Sequence, residues 1–127
     1  MATPSPSAVA KAEAQVRKIT FASVYPLYIR KIEAKGRTVD ELHQVITWLT
    51  GYTGAGLAEA IADNRTLEGF FAQAPAPSPA ADQVTGVICG YRVETIEDPV
   101  LRDCRRLDKV IDELAKGRPL TKIMRDL

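Results

Sequence analysis

Reactive residue types are scarce in this chain of 127 residues, which has two cysteines, one histidine and one tryptophan. A structural zinc site normally takes four Cys or His ligands, and Cys89, Cys104 and His43 supply only three, far apart in sequence. No metal site is expected from them. There is no C-x-x-C pair, so a thioredoxin-like redox centre lacks support. No apolar run approaches the roughly 18 residues needed to cross a bilayer. The opening, Met1 to Gln15, lacks the apolar core of about 7–15 residues that marks a secretory signal. Two unpaired thiols without such a signal point to a reducing, cytoplasmic setting. An excess of one charge sign is missing too, since 17 basic and 16 acidic residues leave +1. Whole-chain charge therefore argues for neither a nucleic-acid nor a membrane partner.

What is present is an ordinary globular composition, 46% hydrophobic and 26% charged, at the length of one domain. Met1 to Ser7 holds Pro4 and Pro6 among small polar residues and reads as a mobile tail. Ala8 to Ile19 is rich in alanine and charge and suits a short helix. We set the tail at residues 1–15 and a single helical domain at 16–127.

Helix signals then follow one another. Ser23 is a candidate N-cap, with Pro26 in the first turn and Val24, Tyr28 and Ile32 at helical spacing. Gly36 can take the left-handed conformation that stops this helix. Thr38 and Glu41 form a capping box, and Val39, Leu42, Ile46 and Leu49 repeat at helical spacing up to Gly51. Leu57 with Ile61, and Leu67 with Phe70 and Phe71, mark two shorter helices. Ala74 to Ala80 alternates proline with small residues and reads as a polyproline-like connector. Asp98-Pro99 is an N-cap acceptor followed by proline at N1. From there Val100, Cys104, Leu107, Ile111 and Leu114 form a helical seam, ended by Gly117 and Pro119. Leu120, Ile123, Met124 and Leu127 make a last short helix. The expected fold is all-α, a compact single domain of five to seven short helices packed helix on helix.

One stretch is ambiguous. Val84, Val87, Ile88 and Tyr91 fit a helix begun by Ser78-Pro79, and Val84 to Val93 also fits a strand. Helix is preferred, because no second strand-like run exists to pair with it and a lone strand leaves its backbone unsatisfied. On that reading Gly86 and Gly90, spaced as G-x-x-x-G, mark a close backbone approach.

Few constellations carry chemistry. Arg17 to Arg37 is locally basic, Thr38 to Pro99 acidic, and Val100 to Leu127 basic again. The basic ends are expected to pair with the acidic middle rather than to hold nucleic acid. Gly51, Gly54 and Gly56 match neither a P-loop nor a dinucleotide fingerprint. Glu94, Glu97 and Asp98 have no Ca²⁺-loop spacing, and Asp98 serves as a cap. His43 lies beside the apolar stripe, where a surface histidine with a local hydrogen bond is the plainer reading. Cys89, in an apolar stretch, reads as a buried inert thiol.

Several blocks in fixed order resemble a small prokaryotic family, domain of unknown function 2200. They are Phe21 to Tyr28, Lys35-Gly36-Arg37-Thr38, Trp48-Leu49-Thr50-Gly51-Tyr52, Thr85 to Gly90, Ile96-Glu97-Asp98-Pro99, Leu107-Asp108-Lys109 and Asp112 to Gly117. The likeness runs from about Val16 to Arg125. It departs in the Pro-rich segment Ala76 to Asp82, where the family usually has an Asn-Pro-containing one. The resemblance implies a bacterial or archaeal, cytoplasmic, stand-alone domain, and it brings no activity, cofactor or catalytic residue.

These readings converge on a non-enzymatic helical binding or protein-interaction domain, homodimeric through an apolar helical face, with no cofactor. The candidate binding residues are Tyr25, Tyr28, Trp48 and Tyr52, whose large amphipathic rings suit interfaces. The bland reading of all four is core packing, since the chain has only eight aromatics. The alternatives are a small enzyme or accessory with a shallow site near Cys89, His43 and Glu97, and a weak nucleic-acid binder through the basic end helices. The sequence points to no particular small-molecule ligand.

Overall fold

Capping chemistry sets most of the helix boundaries. The structure, a computed structural model, describes residues 15–88 and 90–125. Nearly all of the expected tail, and Cys89, lie outside the described residues. A helical turn at residues 15–18 leads into α1 (Phe21–Glu33), α2 (Val39–Thr50), α3 (Gly54–Ala62) and α4 (Leu67–Ala72). A 3-10 turn (Pro79–Gln83) and a small ribbon, β1 (Val87–Ile88) with β2 (Tyr91–Arg92), follow. A second 3-10 turn (Val93–Thr95), α5 (Pro99–Ala115) and α6 (Leu120–Ile123) complete the order. The described chain is all-α apart from the ribbon.

The local signals act as expected at α2 and α5. Thr38 and Glu41 close the capping box, and Gly51 ends α2 in the left-handed conformation at φ +80°. The Asp98 carboxylate accepts from the Leu101 N–H at 2.9 Å, with Pro99 at N1. At the far end the Arg118 N–H donates back to the Glu113 carbonyl over Gly117.

The start of α1 is a correction. The cap is Thr20, not Ser23; the Thr20 hydroxyl accepts from the Ser23 N–H. A long-range bridge fixes it, with Thr20 pairing antiparallel to Thr66, itself the cap of α4. The Phe21 N–H donates to the Arg65 carbonyl and the Leu67 N–H to the Ile19 carbonyl. Pro26 therefore sits inside α1, where it removes the bond to the Ala22 carbonyl. Pro26 is exposed, so water can reach the freed group.

The core forms around α5. Its Leu101, Cys104, Leu107, Val110, Ile111 and Leu114 are buried, against α1, α2, α4 and α6. Beside it runs a chain of rings. Phe21 stacks on Phe70 at 4.2 Å, Phe70 on Tyr52 at 4.5 Å, and Tyr25 tilts against Phe21 at 5.7 Å.

The second correction is at 84–93, which is no helix. The run pairs with itself as an antiparallel ribbon, Val87 opposite Arg92 and Ile88 opposite Tyr91. Gly86 and Gly90 have φ +104° and +81°, which no helix contains. They serve the turns and not a helix contact. A Cβ on Gly86 would meet only the Lys109 side chain, and one on Gly90 would meet nothing. Val84 and Val93, both buried, pin the ends of the ribbon.

The Pro-rich segment is a loop, as read, but a docked one. The Ala76 N–H donates to the Thr50 carbonyl at 3.1 Å and the Ser78 N–H to the Leu49 carbonyl at 3.2 Å. These bonds satisfy carbonyls that the end of α2 leaves open. Gly51 permits the approach, since a Cβ there would lie 2.5 Å from the Ala76 nitrogen.

Candidate functional site

One helical stripe of α2 builds the core, through Leu42, Val45, Ile46 and Leu49. A second stripe, Asp40, His43, Gln44, Thr47 and Trp48, lines a broad open depression of about 390 Å³, to which α6 adds Met124 through the residue that ends it. Trp48 and Met124 are half-buried against the core, so their apolar bodies form the floor. The Asp40 carboxylate accepts from the Gln44 amide at 2.8 Å on the rim.

His43 is held from behind. Its Nε2 shares a hydrogen bond with the Tyr25 hydroxyl, and the rings lie 5.8 Å apart. Burial pushes the Tyr25 phenol up. The ring chain from Tyr52 through Phe70 and Phe21 thus ends by setting the position of an imidazole at the depression.

Tyr28 has a different setting. Its hydroxyl donates to Asp108 Oδ1 at 3.5 Å, across the seam between α1 and α5. Arg105 reaches Asp108 Oδ2 at 2.9 Å and lies over the Tyr91 ring, 5.0 Å from its centroid. Burial, ahead of the neighbouring Asp108 charge, pushes the Tyr28 phenol up, and burial also raises the Asp108 carboxyl. Tyr28 is thereby a seam residue.

Tyr52 requires a correction, being 3% exposed and a core residue rather than a surface anchor. Its hydroxyl donates to the Phe70 carbonyl at 2.6 Å and accepts from Arg65 at 3.3 Å. A tyrosine whose hydroxyl finds a carbonyl can be buried whole. Of the four candidate residues, the structure brings Tyr25 and Trp48 to the α2 face and leaves Tyr28 and Tyr52 elsewhere.

The thiol chemistry is equally local. Cys104 is buried, and burial, reinforced by Asp108, pushes its thiol up to about 12, so it is protonated at neutral pH. Glu97 is exposed. Among the described residues no group of three or more His, Cys, Asp or Glu side chains is placed to hold a metal ion. None of the described helices is long and apolar enough to cross a membrane.

The charged segments pair across the fold. Arg17 reaches both Glu68 at 2.6 Å and Asp98 at 2.5 Å, joining the basic start to the acidic middle. Lys31 meets Asp112 at 3.2 Å. The Arg17 contacts are the expected pairing of the basic start with the acidic middle, although charge distribution did not name the partners and gave no sign of a cleft where Asp103 and Arg106 of α5 face the Pro-rich loop.

The model of the family described as "Uncharacterized protein conserved in bacteria (DUF2200)" matches residues 15–125. The chain belongs to the DUF2200 family. A solved structure agrees with the fold of this DUF2200 chain: "Crystal structure of uncharacterized protein SP1917" superposes with a TM-score of 0.81 at 40% identity. That match covers 87% of this chain and 91% of the other. No match emerges among curated proteins.

Proposed function

We propose that this DUF2200 chain is a non-enzymatic binding domain that pairs with a second copy of itself through the outer face of α2. The observation that carries the reading is the half-buried Trp48 beside Met124 in an open depression rimmed by Asp40, Gln44 and Thr47. Trp and Met are favoured at interface centres, and a polar rim is the usual surround. The protonated Cys104 and the imidazole engaged by Tyr25 support a non-catalytic role. The cross-fold pairs of Arg17 and Lys31 support a chain whose basic residues are used internally. The free, buried Cys104 suits a reducing cytoplasm, where we place the protein.

Light scattering across a wide dilution series tests the reading. The expected mass is about twice 13.9 kDa at high concentration, falling on dilution. Trp48, the sole tryptophan, reports the same event through a red shift of its emission as the face becomes wet. Thr47→Arg, on the rim, is expected to hold the chain monomeric at every concentration, with the melting midpoint that the wild type shows at high dilution. A mass that stays at 13.9 kDa at every concentration refutes self-pairing.

A further inference from the structure

A second concavity lies apart from the α2 face. It is a half-enclosed cleft of about 170 Å³ between the end of α2, the Pro-rich loop and α5. Leu49, Phe71 and Pro77 give it apolar walls, and Asp82, Asp103 and Arg106 give it charges of both signs. The loop wall is held by the backbone bonds of Ala76 and Ser78 to α2, so the cleft is preformed. It is smaller than the roughly 300–1,000 Å³ of pockets that take drug-sized ligands, which limits the occupant to about ten heavy atoms or fewer.

Its charges are incompletely matched. The Arg106 side chain is only 16% exposed, yet its nearest carboxylate, on Asp103, is 3.7 Å away. That exceeds the roughly 3.2 Å limit of an N–H···O bond. Its Nε is buried and meets no acceptor among the described residues. Two residues along, about half a helical turn, the same i,i+3 separation gives a tight pair, with Arg105 and Asp108 at 2.9 Å. Tyr28 and Tyr91 close around that pair. The Asp103–Arg106 pair instead stands open to the cleft. Burial pushes the Asp103 carboxyl up; burial, with Arg102 beside it, pushes the Arg106 guanidinium down. With its Nε unpartnered and its nearest carboxylate at 3.7 Å, the Arg106 guanidinium is short of an acceptor, while the Asp103 carboxylate stands 38% exposed beside it.

A lone anion in the cleft would meet Asp82 and Asp103, and a lone cation would meet Arg106. We propose that the cleft binds a small zwitterion, an α-amino acid with a short apolar side chain. Its carboxylate lies on the Arg106 guanidinium, its ammonium on the Asp103 carboxylate, and its side chain against Leu49, Phe71 and Pro77. This site does not depend on self-pairing through α2.

The test is a titration of the full chain, followed by backbone amide NMR shifts. The probes are glycine, L-alanine, L-valine and L-leucine, with isovalerate and isobutylamine as valine lacking one charge each. The expected result is saturable shifts around residues 77–82 and 103–106 with at least one of the amino acids. For valine, both singly charged analogues are expected to bind at least about tenfold more weakly. Arg106→Gln and Asp103→Asn should each weaken the best amino acid by about tenfold or more while the far-ultraviolet circular dichroism stays native. The two variants bracket the site, so one that fails to fold leaves the other to decide. No saturable shift with any of the four amino acids overturns the proposal. So does equal binding by isovalerate or isobutylamine, or full affinity in a folded variant.

Discussion

Glu113 offers the sharpest test of how the fold holds the α2 face together. It is 5% exposed, near the end of α5, and both its oxygens are engaged by Arg125, at 2.8 Å and 2.9 Å. Arg118 adds a longer contact at 3.3 Å. The Arg125 side chain is itself only 15% exposed, and its backbone is held at φ +48°, an uncommon conformation for a non-glycine residue. The fork therefore ties the end of α6 to α5 and holds Met124 at the α2 depression. Glu113→Gln keeps the shape and removes the charge. Removing one partner of a buried pair costs about 3–5 kcal/mol, because the other ion stays desolvated. Arg118 is 48% exposed and can turn to water, so the low end, about 3 kcal/mol, is expected. With a urea slope of about 1.5 kcal/mol per M, the unfolding midpoint falls by about 2 M. Trp48 emission follows the transition, and its folded baseline should shift red as Met124 loosens. Pairing Glu113→Gln with Arg125→Met closes a double-mutant cycle whose coupling should exceed about 1 kcal/mol. A single-variant loss below about 1 kcal/mol, or a coupling near zero, would refute the clamp.

Gly51→Ala and Gly36→Ala separate strain from collision. Both glycines are left-handed, at φ +80° and +81°, but only Gly51 faces a backbone, 2.5 Å from where its Cβ would sit. Urea unfolding should show about 1–2 kcal/mol lost at Gly36. Gly51→Ala should lose about 1–3 kcal/mol beyond that. Tyr52→Phe leaves the Phe70 carbonyl without its 2.6 Å donor and is expected to cost about 1–3 kcal/mol in the same assay. Asp98 tests linkage. The Leu101 N–H, with Arg17 in support, holds its carboxyl below the usual range, so its stabilisation is present above the unfolded pKa and is lost as pH falls through the folded value. Asp98→Ala should lose about 1 kcal/mol at neutral pH, and Asp98→Asn, still a good cap, less. The gap between wild type and Asn should vanish in urea melts run at pH values below that folded pKa.

Boundaries written in one turn of chain were legible in the sequence. Thr38 with Glu41, Asp98 with Pro99, and the stops at Gly36, Gly51 and Gly117 need only neighbouring backbone, so residue type and spacing suffice. Boundaries set across the fold were not. Ser23 is as good a cap as Thr20 by type, and the Thr20–Thr66 bridge decides between them. The ribbon at 84–93 was hidden because Val84, Val87, Ile88 and Tyr91 keep a helical period over too few residues to exclude a hairpin. Its clue was the pair of glycines, which suit turns better than a helix interior. At the candidate face, Trp48 was legible as an amphipathic ring on a helix flank. The Tyr25–His43 contact joins two helices and has no local signature.

Charge shows why spacing alone stops short of function. The sequence places acids and bases at i,i+3 along α5 twice, at Asp103 with Arg106 and at Arg105 with Asp108. Spacing alone does not tell the two pairs apart. Tertiary packing gives them opposite fates. Tyr28 of α1 and Tyr91 of the ribbon lie against the Arg105 pair, so it is part of the seam. The Pro-rich loop lines the cleft beside the other pair, and the Arg106 Nε is left without an acceptor among the described residues. The loop takes that position through two backbone bonds to α2 and the missing side chain at Gly51. A Cβ at Gly51 would therefore reshape the cleft as well as weaken the fold, although residue 51 touches neither charge.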